Sequence, residues 1–232
     1  MLNEPPVHRI SPEKRPWIKI CGLTDPDNAL ACAEFLPDAI GLVFYEKSPR
    51  NVSVEQASRI TAVLPHDLLT IGVFVDNPFE DIMEKVRRCA LKGVQLHGNE
   101  PPELVDRLRK EDLFVIKALF AGKKPDLNQA REYSNASSLL VESGKGILPG
   151  GNAESWNYKI SRSIKTKTPV IIAGGLSSDS ITGALKAARP FGVDVSSGVE
   201  KIPGIKDLNK IKSFIARINA LTDSSKRPDR KS

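Results

Sequence analysis

Cysteine is scarce in this chain: three in 232 residues, Cys21, Cys32 and Cys89, odd in number and widely spaced. None forms a CxxC pair, so neither a disulfide framework nor a zinc site is expected, and reduced thiols in a cytoplasmic enzyme fit. Long apolar runs are missing too; nothing approaches the roughly 18–20 residues of a membrane span. The opening Met1-Leu2-Asn3-Glu4-Pro5-Pro6 lacks the charged-then-apolar layout of a secretory signal. A GxGxxG loop is absent after the first apolar run, which argues against a dinucleotide-binding fold. The net charge of +6 is not organised as a basic stripe interleaved with aromatics, and residues 1–16 and 221–232 supply half of it. Nucleic-acid binding is therefore not expected, and the mildly basic body suits a small anionic ligand.

What is present is a regular alternation. The composition, 40% hydrophobic and 27% charged, is that of a globular protein with a real core. Short apolar or β-branched runs near 17–21, 38–44, 69–75, 93–97, 113–118, 137–142, 168–173 and 191–195 predict eight strands. Stretches of helical period near 27–35, 54–64, 79–91, 101–110, 126–133, 154–165, 178–187 and 207–220 predict eight helices. Ser53-Val54-Glu55-Gln56 reads as a capping box, and Pro78 and Pro101 sit where a first-turn proline is tolerated. Runs such as Ile71-Gly72-Val73-Phe74-Val75 are apolar on both faces, as parallel strands covered by helices require. Eight βα units in a chain of this length predict a single α/β domain, a closed (β/α)8 TIM barrel over residues 16–221. Residues 1–15 and 222–232, rich in Pro, Ser and charge, are expected to be flexible extensions.

In such a barrel the chemistry sits at the C-terminal strand ends. The first strand ends at Cys21, a thiol that is a base or nucleophile where its surroundings favour thiolate, and otherwise a core residue. The second ends in a long polar loop carrying Arg50, whose fork suits a carboxylate and whose usual fate is solvation. His97 follows the fourth strand as a titrating or a packing group. Glu142 closes the apolar Leu139-Leu140-Val141, where a desolvated carboxyl serves as a general acid or merely marks a solvated strand end. The seventh and eighth strands end in Ala173-Gly174-Gly175 and Asp194-Val195-Ser196-Ser197-Gly198, small-residue turns that open onto helices. Glycine lets backbone N–H groups approach an anion, so both turns are candidate phosphate sites.

Taken together, seven strings in order resemble the phosphoribosylanthranilate isomerase family of tryptophan biosynthesis. They are Lys19-Ile-Cys-Gly-Leu-Thr24, Gly41-Leu-Val-Phe-Tyr45, Lys47-Ser-Pro-Arg50, Gly72-Val-Phe-Val75, Val94-Gln-Leu-His-Gly98, Ala173-Gly-Gly-Leu176 and Val193-Asp-Val-Ser-Ser-Gly-Val-Glu200. The resemblance runs from about residue 17 to 217 and implies a (β/α)8 enzyme. Its reaction is the Amadori rearrangement of N-(5-phosphoribosyl)anthranilate to 1-(2-carboxyphenylamino)-1-deoxyribulose 5-phosphate, without metal or organic cofactor. It also implies Cys21 as general base, Arg50 on the anthranilate carboxylate, Gly174, Gly175, Ser197 and Gly198 at the phosphate, and Asp194 lining the pocket. His97 is expected beside the substrate.

The sixth strand departs from the family. The usual Leu-Leu-Asp, Gly-Gly-Thr-Gly and Phe-Asp-Trp are replaced by Leu140-Val141-Glu142, Gly150-Gly-Asn-Ala153 and Trp156-Asn-Tyr158. Either Val141 or Glu142 stands at the general-acid position, and alternate strand residues face opposite ways. Glu142 is favoured because it keeps a carboxylic acid. With Val141 there, the chain would be a weak or silent paralogue binding phosphoribosyl ligands; a barrel sugar-phosphate isomerase of another substrate is the remaining alternative. A small-molecule phosphoribosyl substrate is the expected partner, and monomer and homodimer both stay open.

Overall fold

Eight short runs of apolar sequence close on themselves. The computed structural model describes residues 15–144 and 156–224, with side chains to residue 221. The strands are β1 (Trp17–Cys21), β2 (Ala39–Phe44), β3 (Leu69–Phe74), β4 (Gly93–Leu96), β5 (Phe114–Phe120), β6 (Ser138–Glu142), β7 (Val170–Ile172) and β8 (Gly192–Val195). Each pairs in parallel with the next, and β1 closes the ring by pairing with β8, Lys19 opposite Asp194. The expected TIM barrel is the observed fold.

Strand alternation splits the core in two. Trp17, Ala39, Ile71, Ile116, Ala118, Phe120, Leu140, Ile171 and Ala173 pack in the lumen. Ile18, Ile20, Ile40, Leu42, Leu139 and Ile172 face the other way and pack with the helices. Trp17 stacks on Phe114 and Phe191, with ring centroids 6.0 and 6.4 Å apart, and fills the N-terminal end of the lumen. That end is therefore sealed by aromatic packing, and only the C-terminal mouth is open for chemistry.

Among the described residues, six α-helices surround the barrel: α1 (Pro26–Ala33), α2 (Val54–Val63), α3 (Phe79–Arg88), α4 (Pro102–Arg109), α5 (Ile181–Ala188) and α6 (Leu208–Ser224). Asp25 caps α1 and Ser53 caps α2 through side-chain oxygens. The expected capping box at Ser53 is only half made, because the Gln56 amide bonds to the carbonyl of Thr24 instead. Pro78 and Pro101 stand at the N-cap positions of α3 and α4, one place before the first turn. None of the described helices is long and apolar enough to cross a membrane.

Three differences from the sequence expectation stand out. The fifth and sixth helices are short 3-10 segments among the described residues, Leu127–Arg131 and Tyr158–Ser163, in place of α-helices. Strand β7 is shorter than expected because Pro169, which has no N–H for the ladder, precedes it. A hairpin, β9 (Glu200–Ile202) and β10 (Ile205–Lys206), follows β8 and turns at Pro203-Gly204. The expected extensions, 1–15 and 222–232, lie largely outside the described residues. Arg15 is described and pairs with Asp38, and α6 continues to Ser224.

Candidate active site

The open mouth holds a cleft of about 80 Å³. Cys21, Arg50, His97, Glu142, Gly174, Gly175, Asp194 and Ser197 all line it, so the barrel gathers every expected site residue but Gly198.

Cys21 ends β1 and is buried. Two residues earlier on the same face, Lys19 is fully buried in the lumen, and its Nζ donates to both carboxylate oxygens of Asp194 at 3.1 Å. The β1–β8 register makes this pair direct neighbours. Burial works against the Lys19 charge, but Asp194 and Cys21 more than compensate and hold the ammonium above its ordinary range. Burial likewise pushes the Cys21 thiol up, and Lys19 opposes that shift without cancelling it. Gly41, opposite Cys21 on β2, makes room for both groups. A Cβ there would lie 2.7 Å from Cys21 Sγ and 3.0 Å from Lys19 Nζ.

Arg50 lines the cleft with part of its fork already engaged. Its Nε and Nη2 donate to the two carboxylate oxygens of Glu200 at 2.8 and 2.7 Å, so the fork grips a residue of the chain itself. Nη1 makes no hydrogen bond among the described residues. Glu200 also accepts from Lys206 Nζ at 2.8 Å and from the Gly204 amide at 3.1 Å. Burial would raise the Glu200 carboxyl, but Arg50 and Lys206 hold it below the usual carboxylate range. Around Cys21, three cations (Lys19, Arg50 and Lys206) face two carboxylates (Asp194 and Glu200). The cations lower the cost of negative charge at Cys21 without overcoming its burial.

On the opposite wall, strand parity decides between Val141 and Glu142. Leu140 packs in the lumen and Leu139 outside it, so Glu142 turns inward and lines the cleft while Val141 turns out. His97 Nε2 lies 3.7 Å from Glu142 Oε1, and its Nδ1 is 2.8 Å from Gln95 Nε2. Among the described residues, His97 Nε2 and Gln95 Oε1 are buried without a hydrogen-bond partner. Phe120 packs edge-on to the His97 ring.

The loops after β7 and β8 touch each other. Gly198 packs against the β7 loop, where a Cβ would strike the carbonyl oxygen of Leu176. Three consecutive carbonyls of the β7 loop are held by side chains: Ala173 by Trp156 Nε1 at 2.8 Å, Gly174 by Tyr158 Oη at 2.6 Å and Gly175 by Ser180 Oγ at 2.9 Å. The loop after β8 opens onto a three-residue 3-10 turn, Ser197–Val199, and not onto an α-helix. Any anion held there meets individual amides more than a long helix dipole.

Lys19, Glu200 and Lys206 are not among the site residues expected from the sequence. Lys19 carried a usable signal, a charge inside an apolar strand and two residues from Cys21. Lys206 carried none.

Comparison with known proteins follows the same outline. The family model described as N-(5'phosphoribosyl)anthranilate (PRA) isomerase matches residues 18–217. The N-(5'-phosphoribosyl)anthranilate isomerase of Desulfatibacillum aliphaticivorans is 48% identical over 198 residues, 85% of this chain and 90% of that protein. The crystal structure of phosphoribosyl anthranilate isomerase from Thermotoga maritima superposes with a TM-score of 0.80 at 36% identity, covering 88% of this chain and 99% of that one. Another solved isomerase, in complex with reduced 1-(o-carboxyphenylamino)-1-deoxyribulose 5-phosphate, gives 0.76 at 35% identity, covering 88% and 99%.

Proposed function

The chain belongs to the N-(5'-phosphoribosyl)anthranilate isomerase family, and from that premise we propose how its own residues divide the work. The reaction is the Amadori rearrangement that serves tryptophan biosynthesis. It acts on a phosphorylated sugar that does not cross membranes, which supports a cytoplasmic setting.

The substrate phosphate sits against the amides of Gly174, Gly175, Ser197 and Gly198. The anthranilate carboxylate meets Arg50, which keeps Glu200 on two of its nitrogens and offers Nη1. Complexation of a related isomerase with a reduced product analogue supports a ligand of this chemistry in the same cleft. With its two ends held, the ribose lies between Cys21 on β1 and Glu142 on β6. Glu142 protonates the furanose ring oxygen, the C1–O bond breaks, and the anilino nitrogen carries the resulting positive charge as a Schiff base. Cys21, as thiolate, removes the proton from C2; the released pair forms the C1=C2 double bond and the C1=N π pair returns to nitrogen, giving an enolamine. The enolamine tautomerises to the ketose product. His97 and Asp194 line the sugar's path, and the buried His97 Nε2 is available to a sugar hydroxyl.

The observation that carries this reading is the inward parity of Glu142, which supplies an acid across the mouth from the thiol. It is tested by following loss of phosphoribosylanthranilate fluorescence. Cys21→Ser and Glu142→Gln are each expected to lower kcat by about 10²–10⁴-fold, the usual range for losing an acid or base. Val141→Ala, on the outer face, keeps kcat. A Glu142→Gln enzyme of near-normal rate would remove Glu142 as the acid.

A further inference from the structure

We propose that Trp156, Tyr158 and Ser180 are positioning residues for the substrate phosphate, acting through the backbone of the β7 loop. The proposal rests on the reading that this loop cradles the phosphate. In a trans peptide the C=O and the following N–H point in opposite directions. Fixing the carbonyls of Ala173, Gly174 and Gly175 therefore fixes the amides of Gly174, Gly175 and Leu176.

Each carbonyl is fixed by a different side chain: the Trp156 indole, the Tyr158 phenol and the Ser180 hydroxyl. Gly174, Gly175 and Leu176 line the cleft, whereas Trp156, Tyr158 and Ser180 do not. The carbonyls thus turn away from the mouth and the three amides turn toward it. These amides donate to no other described residue. Burial pushes the Tyr158 phenol up to about 12, so it remains an O–H donor throughout the working pH range. A small-residue loop without such ties would rotate its peptides freely, and its carbonyls would meet the phosphate as often as its amides. The ties orient the donors before the ligand arrives.

The test compares wild type with Tyr158→Phe, which keeps the ring and removes only the hydroxyl. Inorganic phosphate serves as a competitive inhibitor alongside the kinetics of turnover. Tyr158→Phe is expected to raise both the substrate KM and the phosphate Ki by about three- to tenfold, the worth of one such bond. The kcat stays nearly unchanged, because binding to a remote phosphate is lost equally from ground and transition states. Ser180→Ala behaves in the same way, and Ser180→Thr, which restores a hydroxyl, recovers the wild-type Ki; this pair decides the matter if Tyr158→Phe fails to fold. A folded Tyr158→Phe with unchanged Ki and KM, or one that loses kcat alone, overturns the positioning role while leaving the phosphate site standing. Wild type that inorganic phosphate does not inhibit overturns the phosphate site itself, and the positioning role with it.

Discussion

Cys21 has to lose a proton in a place that resists charge. Burial raises its thiol above the ordinary range, and the Lys19 ammonium only moderates the shift. Once formed, such a thiolate is a stronger base toward carbon than an unshifted one. The active form carries Cys21 deprotonated and Glu142 protonated at once, so kcat/KM is expected to be bell-shaped in pH, with Cys21 setting the alkaline limb. Lys19→Met removes the opposing charge and moves this limb to higher pH. A pH–rate series on the two proteins checks both points; a rate that climbs without a maximum, or an alkaline limb indifferent to Lys19, would contradict them. Lys19→Met also leaves Asp194 buried without its partner, and the unfolding midpoint should fall accordingly. Whether Glu142 or Val141 enters the pocket turns on a single step of strand parity. Sequence order alone leaves that step open, because it does not say where the β6 register locks.

At the scale of elements, the loops after β7 and β8 behave as one unit. Gly198 seats against the Leu176 carbonyl with no space for a methyl group. Gly198→Ala must push the two loops apart, with KM expected to rise more than tenfold and the protein losing about 1–3 kcal/mol, as for other overpacked sites. Steady-state kinetics and urea unfolding measure the two effects. The eight strands were legible because parallel strands buried on both faces leave unmistakable apolar runs. The fifth and sixth helices were not: Leu127–Arg131 and Tyr158–Ser163 carry helical periodicity over too short a span to separate α from 3-10. The β9–β10 hairpin did leave a signal, Pro203-Gly204 between two isoleucines, but strands of three and two residues fall below any periodic pattern. Cys21, Arg50 and the glycine loops were legible because strand ends select them. The grip of Glu200 on Arg50 was not, since it joins loops 150 residues apart.

The whole molecule divides its labour along the barrel axis. The closed end is held by Trp17, Phe114 and Phe191, and the open end by polar groups in costly burial. Stability and catalysis are therefore expected to separate. Trp17→Ala should lose about 3–5 kcal/mol, the usual cost of deleting a buried aromatic. In the fraction that stays folded, kcat and KM should hold near wild type. Thermal unfolding with kinetics at low temperature distinguishes this from an aromatic end that also shapes the mouth.

Gly41 gives this arrangement a history as well as a geometry. Lys19 and Cys21 occupy the volume that any side chain at position 41 would claim, so the three positions form a single epistatic unit. A lineage that enlarged position 41 first would displace the base, and one that lost Lys19 first would strand Asp194. Either single change is expected to cost activity or stability on its own. Redesign of this barrel toward another base would have to change the three together.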